Sequence, residues 1–159
     1  MAAPVNYTTK ISAAQTVAEM QALLAGHGAR RISVDHDSSG VPSSLDFALG
    51  TPHGLRAFSL PASVDHMQRL LAAEDAAGLL KSGSKAERTS RTQAERVAWR
   101  VMKTWLEAQL ALVSAEMIDI DQALLAFLQV DGTGWTLYEI YKERESLTLS
   151  PGSNETTKG

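Results

Sequence analysis

The sequence contains no cysteine. This absence excludes disulfide bonds, thiolate metal sites and cysteine nucleophiles, and it fits a protein from a reducing compartment. Long apolar runs are absent too, since none approaches the ~18–20 residues that span a bilayer. The N-terminal stretch MAAPVNYTTK has neither a basic nor an apolar segment, so we expect no signal peptide. Together these absences predict a soluble cytoplasmic protein.

Motifs that indicate catalysis or cofactor binding are also missing. The sequence has no G-x-S-x-G, no G-x-x-x-x-G-K-[ST] and no G-x-G-x-x-G, and the DGTG of residues 131–134 lacks the lysine and preceding strand of a phosphate loop. The four histidines have no zinc-binding spacing, and the DHD of residues 35–37 fits a polar loop better than a metal site. We therefore expect no enzymatic activity, no cofactor and no metal.

Charge is unevenly distributed along the chain. Residues 81–103 contain seven basic and two acidic side chains, a local charge of +5, so the rest of the chain carries −8 to give the total of −3. This separation indicates either an anionic partner for the basic segment or an acidic surface within the protein itself. A solvated helix that pairs with its own acidic neighbours explains the pattern equally well.

Hydrophobic spacing predicts an α+β fold that begins with an α-β-β-β-α unit over residues 1–78. Ser12 and Gln15 have the spacing of a capping box, and the helix that follows ends near residue 27. A second helix begins after Pro61. Between the two helices, alternating apolar residues predict three strands: RISVD, SLDFALG and LRAFSL. We expect a three-stranded antiparallel sheet with both helices on one face.

The second half of the chain is predicted to be helical. Residues 79–88 are rich in Gly, Ser and Lys and predict a flexible linker. A helical region over residues 89–145 begins with one long helix and continues through a helix at IDIDQALLAFLQV. Thr136 and Glu139 have capping-box spacing and start a last helix. Residues 146–159 have few large apolar side chains and are expected to be disordered.

The long helix carries the candidate site. Basic side chains recur on one of its faces at positions i, i+4 and i+7, and a further arginine lies near its start. Such a ridge can hold the phosphates of a nucleic acid or a nucleotide, while a glutamine or tryptophan on its flank adds orientation or base stacking. The candidate binding residues are Arg91, Gln93, Arg96, Trp99, Arg100 and Lys103.

Two apolar stripes occupy the rest of this helix. One begins at Ala94 and has Trp105 at its centre, so we expect it to lie in the core. The other includes Trp99 and Leu106. It either packs in the core as well, which would remove Trp99 from any stacking role, or forms the interface of a homodimer.

Several stretches resemble a family of small proteins encoded by tailed phages and prophages. They are NYTTKI, TPHG, FSLPA, the RTQAERVAWRVMKTWLEAQLAL of the long helix and the closing VDGTGWTLYEIY, so the similarity extends to about residue 144. The family has no established activity and therefore implies no catalytic or ligand-binding residues. It implies a protein that acts inside a bacterial cell, in phage DNA metabolism, packaging or host takeover.

Three functions remain open. The favoured hypothesis is a non-enzymatic phage or prophage accessory protein that binds DNA or a nucleotide through the basic helix. The first alternative is an inhibitor or adaptor that binds a host protein, such as an antiviral defence component, since acidic surfaces can occupy nucleic-acid-binding clefts. The second is a structural homodimer assembled through the long helix. None of the three involves a membrane.

Overall fold

The computed structural model describes residues 6–131 and 133–144. It has the predicted α+β class, with a three-stranded sheet among helices. The elements are α1 (Ala13–Gly26), β1 (Arg30–His36), β2 (Pro42–Thr51), β3 (Gly54–Pro61), α2 (Val64–Ala76), α3 (Lys85–Arg88), α4 (Arg91–Ser114), α5 (Ile120–Ala123), a 3-10 turn (Leu125–Phe127) and α6 (Leu137–Glu143).

Helix α1 begins at the predicted cap, Ser12, and ends near residue 27 as expected. The hydroxyl of Ser12 accepts a hydrogen bond from the Gln15 amide at 3.1 Å. At the other end, the amide of Ala29 donates to the carbonyl of Leu24, and Gly28 has a φ of 87°. This is a Schellman ending, in which glycine takes the left-handed conformation that other residues disfavour. The chain thereby turns directly into β1.

The sheet is the predicted antiparallel meander, in the order β1-β2-β3. Its inward face is formed by directly opposed apolar residues, including Leu45 opposite Leu60 and Phe47 opposite Phe58. The two phenylalanine rings stack with their centroids 5.7 Å apart. The outward face has mostly small and polar residues such as Ser44 and Asp46, so the larger apolar area faces the helices.

Helix α4, rather than α2, packs on the sheet beside α1, which differs from the expected arrangement. The main core joins side chains of α1, β2 and β3 to Trp99, Leu106 and Leu110 of α4. The indole nitrogen of Trp99 donates to the carbonyl of Pro42 at 3.0 Å and so fixes α4 to the start of β2. Helix α2 packs on the other side of α4, in a second cluster that includes Leu71 and Val97.

Both apolar stripes of α4 are buried, the first through Ala94 and Val97 in the second cluster and the second through Trp99 in the main core. Trp99 is 0% exposed and lies at the centre of the core, whereas Trp105 is half-buried at its rim, edge-on to Phe127 at 5.3 Å. The stripe proposed as a dimer interface is therefore buried within the protein. This face of the long helix packs against the sheet and α1, so it is not exposed as the interface of a homodimer.

The predicted linker contains ordered structure. Within residues 79–88, Ser84 and Glu87 form a reciprocal capping box that starts α3. The guanidinium of Arg88 binds the carboxylate of Asp75 on α2, with 2.7 Å between Nε and Oδ1. The short helix is thus held against α2. Residues 79–88 therefore connect two parts of the chain that pack against each other.

The helix predicted at IDIDQALLAFLQV is broken into two short helical pieces, and the prediction is wrong at the end of the segment. Helix α5 and the 3-10 turn end at residue 127, and the chain then becomes extended. The amide of Gln129 donates to the carbonyl of Ala57 at 2.8 Å, and Leu128 bridges to Phe58. Extended backbone satisfies polar groups along the outer edge of β3 that a helix would leave unpaired. The predicted tail, residues 146–159, lies outside the described residues.

We predict that Trp99→Phe lowers the free energy of unfolding by about 1–3 kcal/mol, because it leaves a cavity and an unpaired carbonyl at Pro42. Trp105→Phe is the matched control, and its cost should be less than half as large, since the half-buried ring donates no hydrogen bond in the described structure. Urea denaturation followed by circular dichroism measures both. Equal losses for the two variants would contradict the central position of Trp99.

Candidate functional site

The basic face of α4 is already paired with acidic side chains. Arg100 is 9% exposed, and its Nη1 lies 2.7 Å from Oε2 of Glu19 on α1. The ammonium of Lys103 lies 3.5 Å from the same oxygen and 2.8 Å from Oε1 of Glu107. Two of the predicted phosphate ligands therefore hold α1 against α4 instead of facing solvent unpaired.

The start of α4 follows the same pattern. Arg91 forms an ion pair with Asp65 at the beginning of α2, and its Nε is 3.9 Å from Glu95 one turn further along α4. Arg88, just before the helix, pairs with Asp75. Basic residues at a helix N-terminus are unfavourable next to the helix dipole. Carboxylates supplied by α2 offset that unfavourable placement without any external partner.

The other candidates have structural contacts as well. Gln93 is buried, and its side-chain nitrogen donates to the carbonyls of Tyr7 and Thr9 at 2.8 and 3.0 Å. The N-terminal segment is thereby held along α4. Arg96 makes only a 3.5 Å contact with the Gln93 amide oxygen and has no acidic partner among the described residues. Trp99 is fully buried, so the prediction that it stacks on a base is wrong.

These ion pairs shift the titration of their members. The hydrogen bond from Arg100 holds the pKa of Glu19 below its ordinary value, and that from Arg91 does the same to the pKa of Asp65. The hydrogen bond to Glu107 raises the pKa of Lys103. All three groups are therefore charged at neutral pH. A phosphate that approached this face would have to displace carboxylates that already occupy the cationic groups.

A second surface, at the C-terminal end of the described chain, was missed by sequence reasoning. Trp135, Tyr138 and Tyr141 are 45%, 53% and 45% exposed. We call these three residues the C-terminal aromatic surface. They lie on α6 or directly before it, and the capping box of Thr136 and Glu139 that starts this helix is confirmed. The spacing of aromatic residues in GWTLYEIY was the available signal, but a core helix would show the same spacing.

Helix α6 is only lightly anchored. It has no buried residue, although Leu137, Tyr138, Ile140 and Tyr141 form a broad apolar arc around it. The Leu137 amide donates to the carbonyl of Leu128 at 2.8 Å, which ties the helix to the strand-like segment beside β3. The fold therefore covers one side of this arc and leaves the tyrosines in solvent, where their ring centroids lie 6.2 Å apart in a stacked pair.

Shallow grooves flank α6 on two sides. One, of about 300 Å³, lies between the helix and β3, and it is lined by Pro61, Phe127 and Tyr138 with Glu139 and Lys142 at its rim. The other, of about 350 Å³, is lined by Trp135, Ile140 and Arg144 among others. Both are large enough for an apolar side chain of a partner. Aromatic walls with charged rims are typical of protein-binding surfaces.

Two arrangements with the appearance of catalytic or metal chemistry have structural explanations. The hydroxyl of Ser63 contacts Nδ1 of His66 in the first turn of α2, but within the described residues no carboxylate contacts His66 to orient it as a base. Asp37 accepts hydrogen bonds from the amides of Ser39 and Val41 and so shapes the β1–β2 loop. No group of three or more metal-binding side chains occurs in residues 6–131 and 133–144.

Comparison with protein-family models, curated proteins and solved structures gives no match to this chain. Among the helices that the structure describes, none combines the length and apolarity needed to cross a membrane. The geometry of the chain's own surfaces is therefore the basis for any functional conclusion.

We predict that Glu19→Gln flattens the acid dependence of stability. A carboxyl whose pKa is lowered by folding contributes stability that is fully present above its ordinary value, 4.5 for Glu19, and is lost as the pH falls through the lower folded value. The variant should therefore melt below the wild type at pH 7 and approach it at pH 3. Melting temperatures between pH 7 and pH 3 measure this.

Glu143→Gln is the matched control, because Glu143 is exposed and has no ion pair among the described residues. Its melting temperature should follow that of the wild type at every pH. If the curve for Glu19→Gln also ran parallel to that of the wild type, the ion pair with Arg100 would contribute nothing to folding.

Proposed function

We propose that this protein is a non-enzymatic accessory protein of a phage or prophage, which binds another protein through the C-terminal aromatic surface. The observation that carries the proposal is the exposure of Trp135, Tyr138 and Tyr141 on and beside a helix that has no buried residue. The phage context comes from the sequence resemblance alone. The binding role comes from the surface.

Exposed aromatic residues are costly on a free surface. Full burial of a large apolar side chain contributes about 1.5–3 kcal/mol, and a ring that stays about half exposed forgoes roughly half of that. Tyrosine and tryptophan are also the residues that are enriched where proteins bind each other, because they combine a rigid apolar body with a polar edge. All three lie within residues 135–141, and the rings of Tyr138 and Tyr141 stack on each other, so a partner that covers α6 could desolvate them.

The charges around the patch favour a protein over a nucleic acid. Lys142 and Arg144 are balanced by Glu139 and Glu143, so this helix and its cap carry no net charge. Lys142 lies 5.7 Å from the ring of Tyr138 in a cation–π contact. Single-stranded nucleic acids need a positively charged groove beside their aromatic platforms. A protein surface with apolar anchors and mixed charges at its rim fits better.

Binding of DNA or a nucleotide through α4 is our second candidate. It is supported by Arg96, which has no acidic partner among the described residues, and by the exposed lysines at positions 81 and 85. It is weakened by the ion pairs of Arg91, Arg100 and Lys103, which a phosphate would have to open. An inhibitor or adaptor directed at a host protein remains the functional class that the aromatic surface favours.

We predict that the double variant Trp135→Ala/Tyr138→Ala retains far less of a bacterial host protein than the wild type. The experiment is affinity capture from a nuclease-treated bacterial lysate, followed by titration calorimetry with the purified captured protein. Loss of central aromatic anchors should weaken binding at least about thirtyfold, since hot-spot residues contribute ~2 kcal/mol or more each.

The control is Leu55→Ala/Met117→Ala, which removes exposed apolar side chains outside the aromatic surface. It should bind as the wild type does, and both double variants should keep the wild-type melting temperature. Equal capture by the wild type and the aromatic variant, or calorimetric affinities within about twofold, would refute the proposed surface.

A further inference from the structure

Helix α2 contains a buried carboxyl group that the fold leaves partly unpaired. Glu74 is 1% exposed, and its Oε2 atom has no hydrogen-bond partner in the described structure. A polar atom that leaves water and gains no partner costs folding free energy. Glu74 therefore opposes the packing of α2 against its neighbours, whereas the buried Val64 and Leu71 of the same helix favour it.

The first turn of α2 lacks a stabilising contact that other helices of the protein have. Ser63 is the residue at its N-terminal cap, but the side chain accepts no hydrogen bond from a backbone amide of the turn. Its hydroxyl contacts Nδ1 of His66 instead. In α1 and α4, by contrast, Ser12 and Ser90 accept from such amides. Because a side-chain cap stabilises a helix at its start, α2 begins less firmly than they do.

The apolar cluster beneath α2 is separate from the main core. Its buried members are all aliphatic, and they are Val64, Leu71, Leu80, Ala94 and Val97. Of the described residues that form the main core, none belongs to α2. The sheet, α1 and the inner face of α4 can therefore keep the packing around Trp99 when α2 moves.

Ion pairs hold α2 at both of its ends. Asp65 in its first turn pairs with Arg91 of α4. Near its last turn, Oδ1 of Asp75 lies 2.6 Å from Nη2 of Arg88, and the Asp75 side chain is 6% exposed. The same guanidinium donates to the carbonyl of Gly83 at 2.6 Å, in the connection that follows α2. These contacts favour the closed position that Glu74 opposes.

We propose that α2 is a detachable element of the fold, which swings away from α4 as a unit while α1, α4 and the sheet stay packed. Its connections permit this movement. Residues 62 and 63 link α2 to β3, and the mostly exposed residues 77–84 link it to α3. The proposal is independent of the C-terminal aromatic surface.

Opening exchanges one set of interactions for another. Glu74 regains contact with water, while the pair of Asp75 and Arg88 separates and Leu71 leaves its cluster. Segments whose packing terms nearly cancel open locally, at a lower free energy than global unfolding. The open state exposes the stripe of α4 that begins at Ala94 and continues through Val97. Helix α2 thus acts as a lid over the N-terminal half of α4.

Native-state hydrogen–deuterium exchange of the full chain, followed by mass spectrometry, tests the proposal. In the wild type, the protection factors of α2 amides should be at least about tenfold lower than those of β2, because α2 opens without global unfolding. Glu74→Leu removes the unpaired oxygen and should raise the protection of α2 about tenfold. Glu74→Met, which is unbranched like glutamate, should change it in the same direction.

The neighbouring acid provides an internal contrast. Asp75→Asn should lower the protection of α2 about tenfold, because Arg88 loses its charged partner. A general effect of removing negative charge would instead act in the same direction at positions 74 and 75. Arg69→Leu adds a leucine to the exposed face of α2 and should leave its protection unchanged.

Two results would overturn the proposal. One is equal protection of α2 and β2 in the wild type, which would mean that α2 opens only when the whole protein unfolds. The other is protection of α2 that neither Glu74→Leu nor Glu74→Met raises, although both variants keep the circular dichroism spectrum of the folded protein.

Discussion

The burial of Trp99 is the constraint on which the rest of the structure depends. Its indole nitrogen must find an acceptor once it leaves water, and the carbonyl of Pro42 is that acceptor. This contact fixes α4 against the sheet beside α1. Helix α2, which follows the sheet directly in the chain, is thereby displaced to the far side of α4. One aromatic side chain thus decides which helices form the layer next to the sheet.

The position of α4 also explains the uneven charge of the chain. Because α4 lies between α1 and α2, its basic residues meet Glu19 on one side and Asp65 on the other. These ion pairs neutralise part of the local charge of +5 with carboxylates from the rest of the chain, which carries −8. Ion pairs of this kind add modest stability, but they fix which helices are neighbours. Within the part of the chain that the structure describes, packing leaves the C-terminal aromatic surface uncovered, and we expect function to be located there.

Local patterns in the sequence predicted much of the fold. They could not predict which distant parts of the chain pack together. Caps at Ser12 and Thr136 and the alternation in β2 and β3 depend on neighbouring residues, so they could be read directly. Both stripes of α4 are apolar, and nothing local says which one faces the sheet. The bond between Arg100 and Glu19 spans 81 positions. The sequence therefore shows the charged residues at and around the candidate phosphate ligands. It does not show that these residues form ion pairs with one another.

The most direct test of this account is fluorescence anisotropy of labelled single- and double-stranded DNA titrated with the purified protein at low and moderate salt. If the basic face of α4 serves the fold, the wild type and Arg96→Glu should give the same weak signal, without a steep dependence on salt. Affinity that falls steeply as salt rises, and that Arg96→Glu abolishes, would contradict the account. Such a result would mean that phosphates bind the face that we assign to internal ion pairs.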